Sequence, residues 1–127
     1  MKTSFDKDSN IIVVYAELKG KKNTIVVKMA LDTGTSFTII PWGIAEKLGF
    51  DLKNSPDRVL LTTGSGQEDV PRVTIPLVTA LGKKAKNLEV VVMNLPKASH
   101  VDSLLGLNFL CNRKLVINFK KGIIDLK

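Results

Sequence analysis

One carboxylate followed by small hydroxyl residues and a glycine is the part of this sequence best suited to chemistry. Asp32 stands between two apolar runs, residues 24–31 and 37–40. An ionised carboxylate in apolar surroundings needs hydrogen-bond donors. These donors are available locally: the hydroxyls of Thr33, Thr35 and Ser36, and the backbone N–H groups of a turn that Gly34 allows to fold tightly. This loop could hold a catalytic carboxylate, although the same residue types are common in ordinary strand-ending turns, and the Asp-Thr-Gly tripeptide alone favours the ordinary turn.

The other residues that carry chemistry form no comparable pattern. His100, the one histidine, lies in a polar loop, where we expect it to be solvated. Cys111 follows two apolar residues in a predicted helix, so we expect it to be buried rather than paired with His100 as a nucleophile. No group of histidine, cysteine and carboxylate residues has the spacing of metal ligands. We therefore expect no metal and no cofactor.

Length and composition indicate one globular domain over residues 1–127. Cys111 has no partner for an intrachain disulfide, which favours a reducing compartment. The first eight residues lack the apolar segment of a signal peptide, and no run approaches the ~18 apolar residues of a membrane span. These features predict a cytoplasmic protein with no membrane partner.

The chain carries 19 Lys and Arg residues against 12 Asp and Glu residues, a formal net charge of +7. Such a balance can indicate a nucleic-acid partner. The lysines, however, are placed at predicted turns, and no aromatic residues alternate with them as base stacking would require. We interpret these lysines as solvated turn residues and expect no nucleic-acid partner.

Hydrophobic alternation predicts a mainly β fold with two short helices. Residues 10–18 and 24–31 form a predicted hairpin that carries apolar residues on both faces, so we expect both faces to be covered. Pro41 opens a short helix near Trp42–Leu48, and a second short helix follows Gly106. Further strands are predicted at residues 37–40, 59–63, 70–81, 88–93, 115–119 and 123–126. Short strands with glycine-bearing turns favour a barrel-like domain.

A glycine-rich hairpin tip lies between the strands at 59–63 and 70–81. Thr63 ends the first strand, and Gly64, Ser65 and Gly66 begin the tip. These glycines do not form a phosphate-binding loop, because no Gly-Lys-Ser/Thr follows them. A flexible hairpin tip is the better interpretation.

A second motif, Leu104-Leu105-Gly106, stands 72 residues after Gly34. The pairing of Asp-Thr-Gly with this motif, in this order of elements, resembles the retropepsin-like aspartic proteases. That family comprises the retroviral proteases and their single-domain bacterial relatives, and the resemblance is strongest to the bacterial branch. It covers nearly the whole chain and implies a closed β-barrel with two short helices.

The resemblance assigns roles to the residues of the loop. Asp32 is implied as the catalytic carboxylate, Thr33 as the hydroxyl that locks two catalytic loops together, and Gly34 as the backbone next to bound peptide. Thr35 is implied to hydrogen-bond the outer oxygen of Asp32.

Two further segments receive implied roles. Leu104, Leu105 and Gly106 would pack behind the loop and hold it rigid. The hairpin tip with Thr63, Gly64, Ser65 and Gly66 would be the flap that closes over a substrate.

Three positions depart from patterns in the family. Retroviral members usually carry an acidic residue where Ser36 stands and an arginine where Leu107 stands. Many bacterial relatives carry Asp where Asn108 stands. The first two differences fit the bacterial branch and argue against substrate contacts of the retroviral kind.

Hydrolysis by this route needs two carboxylates that share one proton. Of the 12 acidic residues, Asp32 alone lies in such a loop, since Asp102 and Asp125 lack the Thr-Gly surroundings. The second carboxylate is therefore expected from another copy of the chain on a twofold axis, with residues 123–126 pairing across the interface. The predicted function is a homodimeric aspartic endopeptidase acting on peptide or protein substrates. The alternative is a peptide-binding or scaffolding dimer without catalysis.

Overall fold

The computed structural model describes residues 1–54, 57–97 and 99–127. The single domain predicted for residues 1–127 therefore includes three positions outside the described residues. The strands are β1 (Lys2–Ser4), β2 (Val13–Lys19), β3 (Thr24–Leu31), β4 (Thr38–Ile40), β5 (Arg58–Thr63), β6 (Gly66–Ala80), β7 (Lys83–Val92), β8 (Leu104–Leu105), β9 (Leu115–Asn118) and β10 (Ile123–Leu126). The helices are α1 (Trp42–Lys47) and α2 (Leu107–Leu110). The predicted mainly β class with two short helices is confirmed.

The main sheet runs in the order β2-β3-β8-β4-β7-β6-β5, and β2 also pairs with β6. Hydrogen bonding thus passes through six strands and returns to β2. The short strand β8 lies between β3, to which it is parallel, and β4, to which it is antiparallel. This insertion brings residues far apart in sequence together at the ends of β3 and β4.

The core lies inside this ring of strands, and buried and exposed side chains alternate along the strands that enclose it. In β2, Val14, Ala16 and Leu18 are buried, whereas the intervening side chains are exposed. The expectation that both faces of the first hairpin are covered is wrong. Tyr15 and Val26 are 66% and 65% exposed on its outer face, because no other element among the described residues packs there to bury them.

A separate three-stranded sheet has the order β1-β10-β9. Strand β10 is its central strand, with Ile124 opposite Thr3 on one side and Ile117 on the other. Both backbone edges of β10 are therefore occupied within the same chain. The expectation that residues 123–126 pair directly across a dimer interface is wrong for this arrangement, since a central strand has no free edge.

In the parts of the chain that the structure describes, no helix is both long and apolar enough to cross a membrane.

Candidate active site

Asp32 lies where β3 ends, and its backbone is fixed by the neighbouring strand. Leu31 is opposite Leu105 in the parallel β3–β8 ladder. The next residue, Asp32, donates its N–H to the carbonyl of Leu105 at 3.0 Å. Its side chain is half-buried. The β3–β8 ladder thus positions a partly accessible carboxylate at the end of a buried strand.

The loop after Asp32 folds back on the carboxylate. Gly34 donates its N–H to Asp32 Oδ1 at 2.8 Å. A Cβ at position 34 would lie 3.1 Å from the same oxygen, which is closer than ordinary contact. Thr33 and Gly34 are exposed. The loop therefore holds one carboxylate oxygen through backbone and presents its tip outward.

The Thr35 hydroxyl does not take the role that the resemblance implies. It donates to the carbonyl of Phe37 at 3.0 Å. Because a hydroxyl has one hydrogen to donate, it cannot at the same time donate to the outer oxygen of Asp32. The hydroxyl of Thr35 therefore stabilises the turn of the loop and does not hydrogen-bond to Asp32.

Gly106 is where the second motif packs directly against the loop. A Cβ at position 106 would lie 2.5 Å from the carbonyl oxygen of Phe37 and 3.0 Å from that of Thr35. Leu107 N–H donates to Thr35 O at 2.9 Å, and Asn108 N–H donates to Ser36 O at 3.2 Å. The absence of a side chain at Gly106 therefore permits backbone-to-backbone contact between the two motifs.

Leu104 and Leu105 share the ladder with β3 and β4. Leu105 is fully buried in the main core, whereas Leu104 is half-buried and packs on a second apolar cluster with Ile39 and Val91. The structure thus brings the Asp32 loop and the Leu104–Gly106 motif together, as the family resemblance implies.

Asn108 joins three elements behind the loop, a role that sequence reasoning left unassigned. Its Oδ1 accepts both the backbone N–H and the hydroxyl of Thr38, each at 2.9 Å. Its side-chain amide donates to the carbonyl of Glu89 in β7. The Thr38 hydroxyl in turn accepts the N–H of Gly106 at 3.2 Å. Thr38 is fully buried. The signal in the sequence was a polar residue inside the predicted apolar strand at residues 37–40.

A cleft of about 600 Å³ opens beside Asp32. Its walls come from the chain segment after β1, the end of β3, the loop before β8 and the end of β9. Phe5 and Phe119 meet edge to face at its margin, with ring centroids 6.1 Å apart. The apolar lining residues are Phe5, Ile11, Ile12, Ala30, Leu31, Leu95, Val101, Leu104 and Phe119. The cleft combines one carboxylate with a mostly apolar wall, which is the usual composition of a ligand-binding cleft.

The predicted flap tip is a tight turn between β5 and β6. Thr63 is opposite Gly66, and its hydroxyl donates to Gly66 O at 3.0 Å and accepts the Ser65 N–H at 3.3 Å. Gly66 has φ +125°, which favours glycine. Gly64, Ser65 and Gly66 are exposed. Among the described residues, those that line the cleft beside Asp32 include none of these four, so the structure does not bring the tip to the carboxylate.

Ion pairs fix the base of this hairpin. Arg72 contacts both oxygens of Asp57, at 2.8 and 3.2 Å, and lies 3.7 Å from Glu89. Higher on the hairpin, Arg58 pairs with Asp69 at 3.2 Å. The hydrogen bond from Arg72 lowers the pKa of the Asp57 carboxyl below its ordinary value and raises the pKa of Arg72.

His100 and Cys111 are the other residues whose side chains could take part in chemistry. His100 is exposed, and it lines the cleft that contains Asp32. Cys111 is also exposed, so its predicted burial is wrong. Helix α2 ends at Leu110, and the extended backbone of Cys111 turns its side chain away from the core. Within residues 1–54, 57–97 and 99–127, no group of three or more His, Cys, Asp or Glu residues could hold a metal ion.

Comparisons with known proteins agree with this geometry. A family model described as "gag-polyprotein putative aspartyl protease" matches residues 18–112. The fold is similar to the crystal structure of a retropepsin-like aspartic protease from Rickettsia conorii, with a TM-score of 0.73 and 26% sequence identity. That similarity covers 99% of this chain and 88% of the Rickettsia chain. No curated protein matches the sequence significantly.

Proposed function

The chain belongs to the family of retropepsin-like aspartic proteases, and from this premise we propose that it is an aspartic endopeptidase that acts as a homodimer. The observation that carries the proposal is the accessible Asp32 carboxylate, held by the Gly34 N–H at 2.8 Å in a cleft with apolar walls. A single carboxylate of this kind is half of the catalytic pair. The proposal extends to residues 1–127 as one protease domain.

In the proposed mechanism, the two Asp32 carboxylates of a dimer share one proton. Two such negative charges in contact repel, so one carboxyl keeps its proton. The ionised carboxylate removes a proton from a water, which attacks the scissile carbonyl. The protonated carboxyl hydrogen-bonds to that carbonyl and stabilises the developing charge. The tetrahedral intermediate then collapses: the scissile C–N bond breaks, and the leaving amine takes the proton that the first carboxylate removed from the water. No covalent bond to the enzyme forms.

The exposed loop tip suits contact with a second copy. Thr33 is exposed although it follows a residue anchored to the sheet, which supports its role in locking the two loops together. The backbone at Gly34 is also exposed and is proposed to lie next to the bound peptide. A peptide in an extended conformation would add backbone hydrogen bonds in the cleft, and the flap with Thr63–Gly66 would close over it.

The terminal sheet limits where the two chains can meet. Because β10 is central, the free edges of that sheet are the outer edges of β1 and β9. We propose that contacts near these edges, together with the Asp32 loops, form the interface. The lone cysteine, Cys111, supports a reducing, cytoplasmic location.

Hydrolysis of an unfolded protein such as reduced casein, measured from pH 3 to 7, tests the proposal. Wild type is expected to cleave, and Asp32→Asn is expected to lose at least about 10³-fold in kcat/KM, because an amide cannot act as the general base. The side-chain oxygen of the substituted amide can still accept the Gly34 N–H, so the fold should be retained. Asp102→Asn is the matched control and should keep activity.

Two results would count against the enzyme. Equal cleavage by Asp32→Asn would remove Asp32 from the mechanism. No cleavage by folded wild type at any pH would favour the alternative, a peptide-binding dimer without catalysis.

A further inference from the structure

The cleft beside Asp32 has an uneven distribution of charge. Its ionisable lining residues, among those the structure describes, are Lys7, Asp32 and His100. Asp32 is assigned to catalysis by the proposed function. The remaining two side chains are the ammonium of Lys7 and the imidazole of His100, and both can donate a hydrogen bond. The walls of the cleft therefore offer an acidic group no negative charge apart from the catalytic carboxylate.

Lys7 is held at the margin of this cleft. Its ammonium donates to the carbonyl of Lys120 at 3.4 Å, in the turn between β9 and β10. Nearby in the same segment, Phe5 donates its backbone N–H to the carbonyl of Gly122 in that turn, at 2.8 Å. The segment that carries Lys7 is thus packed on the turn, which places the ammonium at the margin of the cleft.

His100 lies on another wall of the cleft, in the loop before β8, and also borders two neighbouring cavities. Those cavities are lined by the charged residues Asp8, Lys28, Lys97 and Asp102. The linings of these two cavities thus contain two cations and two anions, so their charges largely offset one another. On the side toward the Asp32 cleft, the His100 imidazole can donate a hydrogen bond to a carboxylate. Lys7 supplies the positive charge, and the two side chains together are called the cationic margin.

We propose that Lys7 and His100 are specificity-determining residues that select peptides with an acidic side chain near the apolar residues flanking the scissile bond. The apolar wall, including Phe5, Leu95 and Leu104, accepts the apolar side chains of the peptide. The cationic margin pairs with a Glu or Asp side chain that lies beyond them. This inference rests on the proposed function and adds a substrate class to it.

Matched peptides test the inference. A quenched peptide library with an apolar centre identifies a cleaved sequence, and pairs with Glu or Gln at each flanking position are then compared. For wild type we expect kcat/KM to be about twofold to tenfold higher for Glu at one or more positions, since partly exposed ion pairs are individually weak. The double variant Lys7→Gln/His100→Gln is expected to bring this ratio close to one. Lys47→Gln, at the end of α1, is the control and should leave the ratio unchanged.

Binding separates failure of this inference from failure of the proposed function. Peptides with an apolar centre and either Glu or Gln at each flanking position, chosen without reference to cleavage, are titrated against Asp32→Asn protein with and without the two substitutions. Tighter binding of the Glu peptide that disappears in the Lys7/His100 variant supports the inference even if no hydrolysis is found. Equal binding and equal hydrolysis of both peptides, or a preference that survives the double substitution, would overturn it.

Discussion

At the scale of single residues, the candidate site is held mainly by backbone rather than by large side chains. Asp32 is oriented by the Leu105 carbonyl and the Gly34 N–H. The adjacent motif approaches so closely at Gly106 that the carbonyls of Thr35 and Phe37 occupy the space of a side chain. Glycine is therefore needed at positions 34 and 106 for steric reasons that do not depend on catalysis.

Gly106→Ala should destabilise the fold and reduce activity. The added Cβ would lie 2.5 Å from Phe37 O, a backbone atom that is part of the Asp32 loop. We expect a loss of about 1–3 kcal/mol in the free energy of unfolding, the usual cost of overpacking. Chemical denaturation measures this loss, and a casein assay measures the activity.

Gly43→Ala is the matched control for that substitution. Nothing lies within 4 Å of a Cβ at position 43, and Gly43 is within α1, where alanine is favoured over glycine by up to ~1 kcal/mol. We expect unchanged or slightly higher stability. If Gly106→Ala proved as stable and active as Gly43→Ala, close packing behind the loop would not matter.

At this scale, the sequence predicts features that depend on local motifs. The placement of Asp32 at a strand end follows from the apolar run before it, and the packing of residues 104–106 behind the loop follows from the family resemblance. The resemblance implies a different acceptor for the Thr35 hydroxyl, which in fact bonds within its own loop to the carbonyl of Phe37. The role of Asn108 does not follow from a motif, because it depends on the sheet bringing β4 and β7 to the helix that carries Asn108. Side-chain partners of this kind are fixed by tertiary structure.

At the scale of elements, the β5–β6 hairpin is anchored at its base and exposed at its tip. Arg72 bridges Asp57 and Glu89, and so connects the start of the hairpin to β7. The tip at Gly64–Ser65 has no such anchor within the described residues. A hairpin with this distribution of contacts can move at its tip while its base stays in place.

The ion pair at the base of the hairpin predicts a pH dependence. Arg72 lowers the pKa of Asp57 in the folded state relative to the ordinary value of 3.8. A group with a lowered folded-state pKa stabilises the protein above its unfolded-state pKa, and this contribution is lost as the pH falls through the folded-state value. The hairpin base should therefore be stable above about pH 4 and loosen below it.

This loosening is measured by hydrogen exchange of the backbone amides near residues 57–59 and 70–72 between pH 5 and pH 3. The observed exchange rates are corrected for the pH dependence of exchange in an unfolded chain. Asp57→Asn removes the titrating group, so its protection should change less over the same range. Both side chains are partly exposed, so the effect is small. Identical pH profiles for wild type and Asp57→Asn would exclude the ion pair as the cause.

Strand positions were more predictable than strand neighbours. The alternation of apolar residues locates β2, β3 and the β9–β10 hairpin within a few residues. It does not reveal that β10 is central in its sheet or that Val26 is left exposed. Both depend on which distant segment lies alongside, and a single sequence contains no direct signal for that.

At the scale of the whole molecule, the proposed mechanism requires two copies of Asp32 and therefore predicts dominant inhibition by an inactive partner. Wild type at a fixed concentration is mixed with Asp32→Asn protein and allowed to exchange subunits. With random pairing, equal amounts place half of the wild-type chains in dimers that have one intact carboxylate, so activity should fall to about half. An excess of about ninefold should reduce it to about one tenth.

The mixing experiment uses a short peptide at a concentration far above total protein, so that inactive dimers cannot deplete the substrate. Dilution of wild type alone provides an independent measurement, because specific activity should fall as dimers dissociate. The two measurements address the same requirement in different ways: one changes the partner, and the other removes it. The opposite result would be activity that is proportional to the concentration of wild type and unchanged by added Asp32→Asn protein. In that case one chain would supply every catalytic group, and the second acid beside Asp32 would have to come from the same chain.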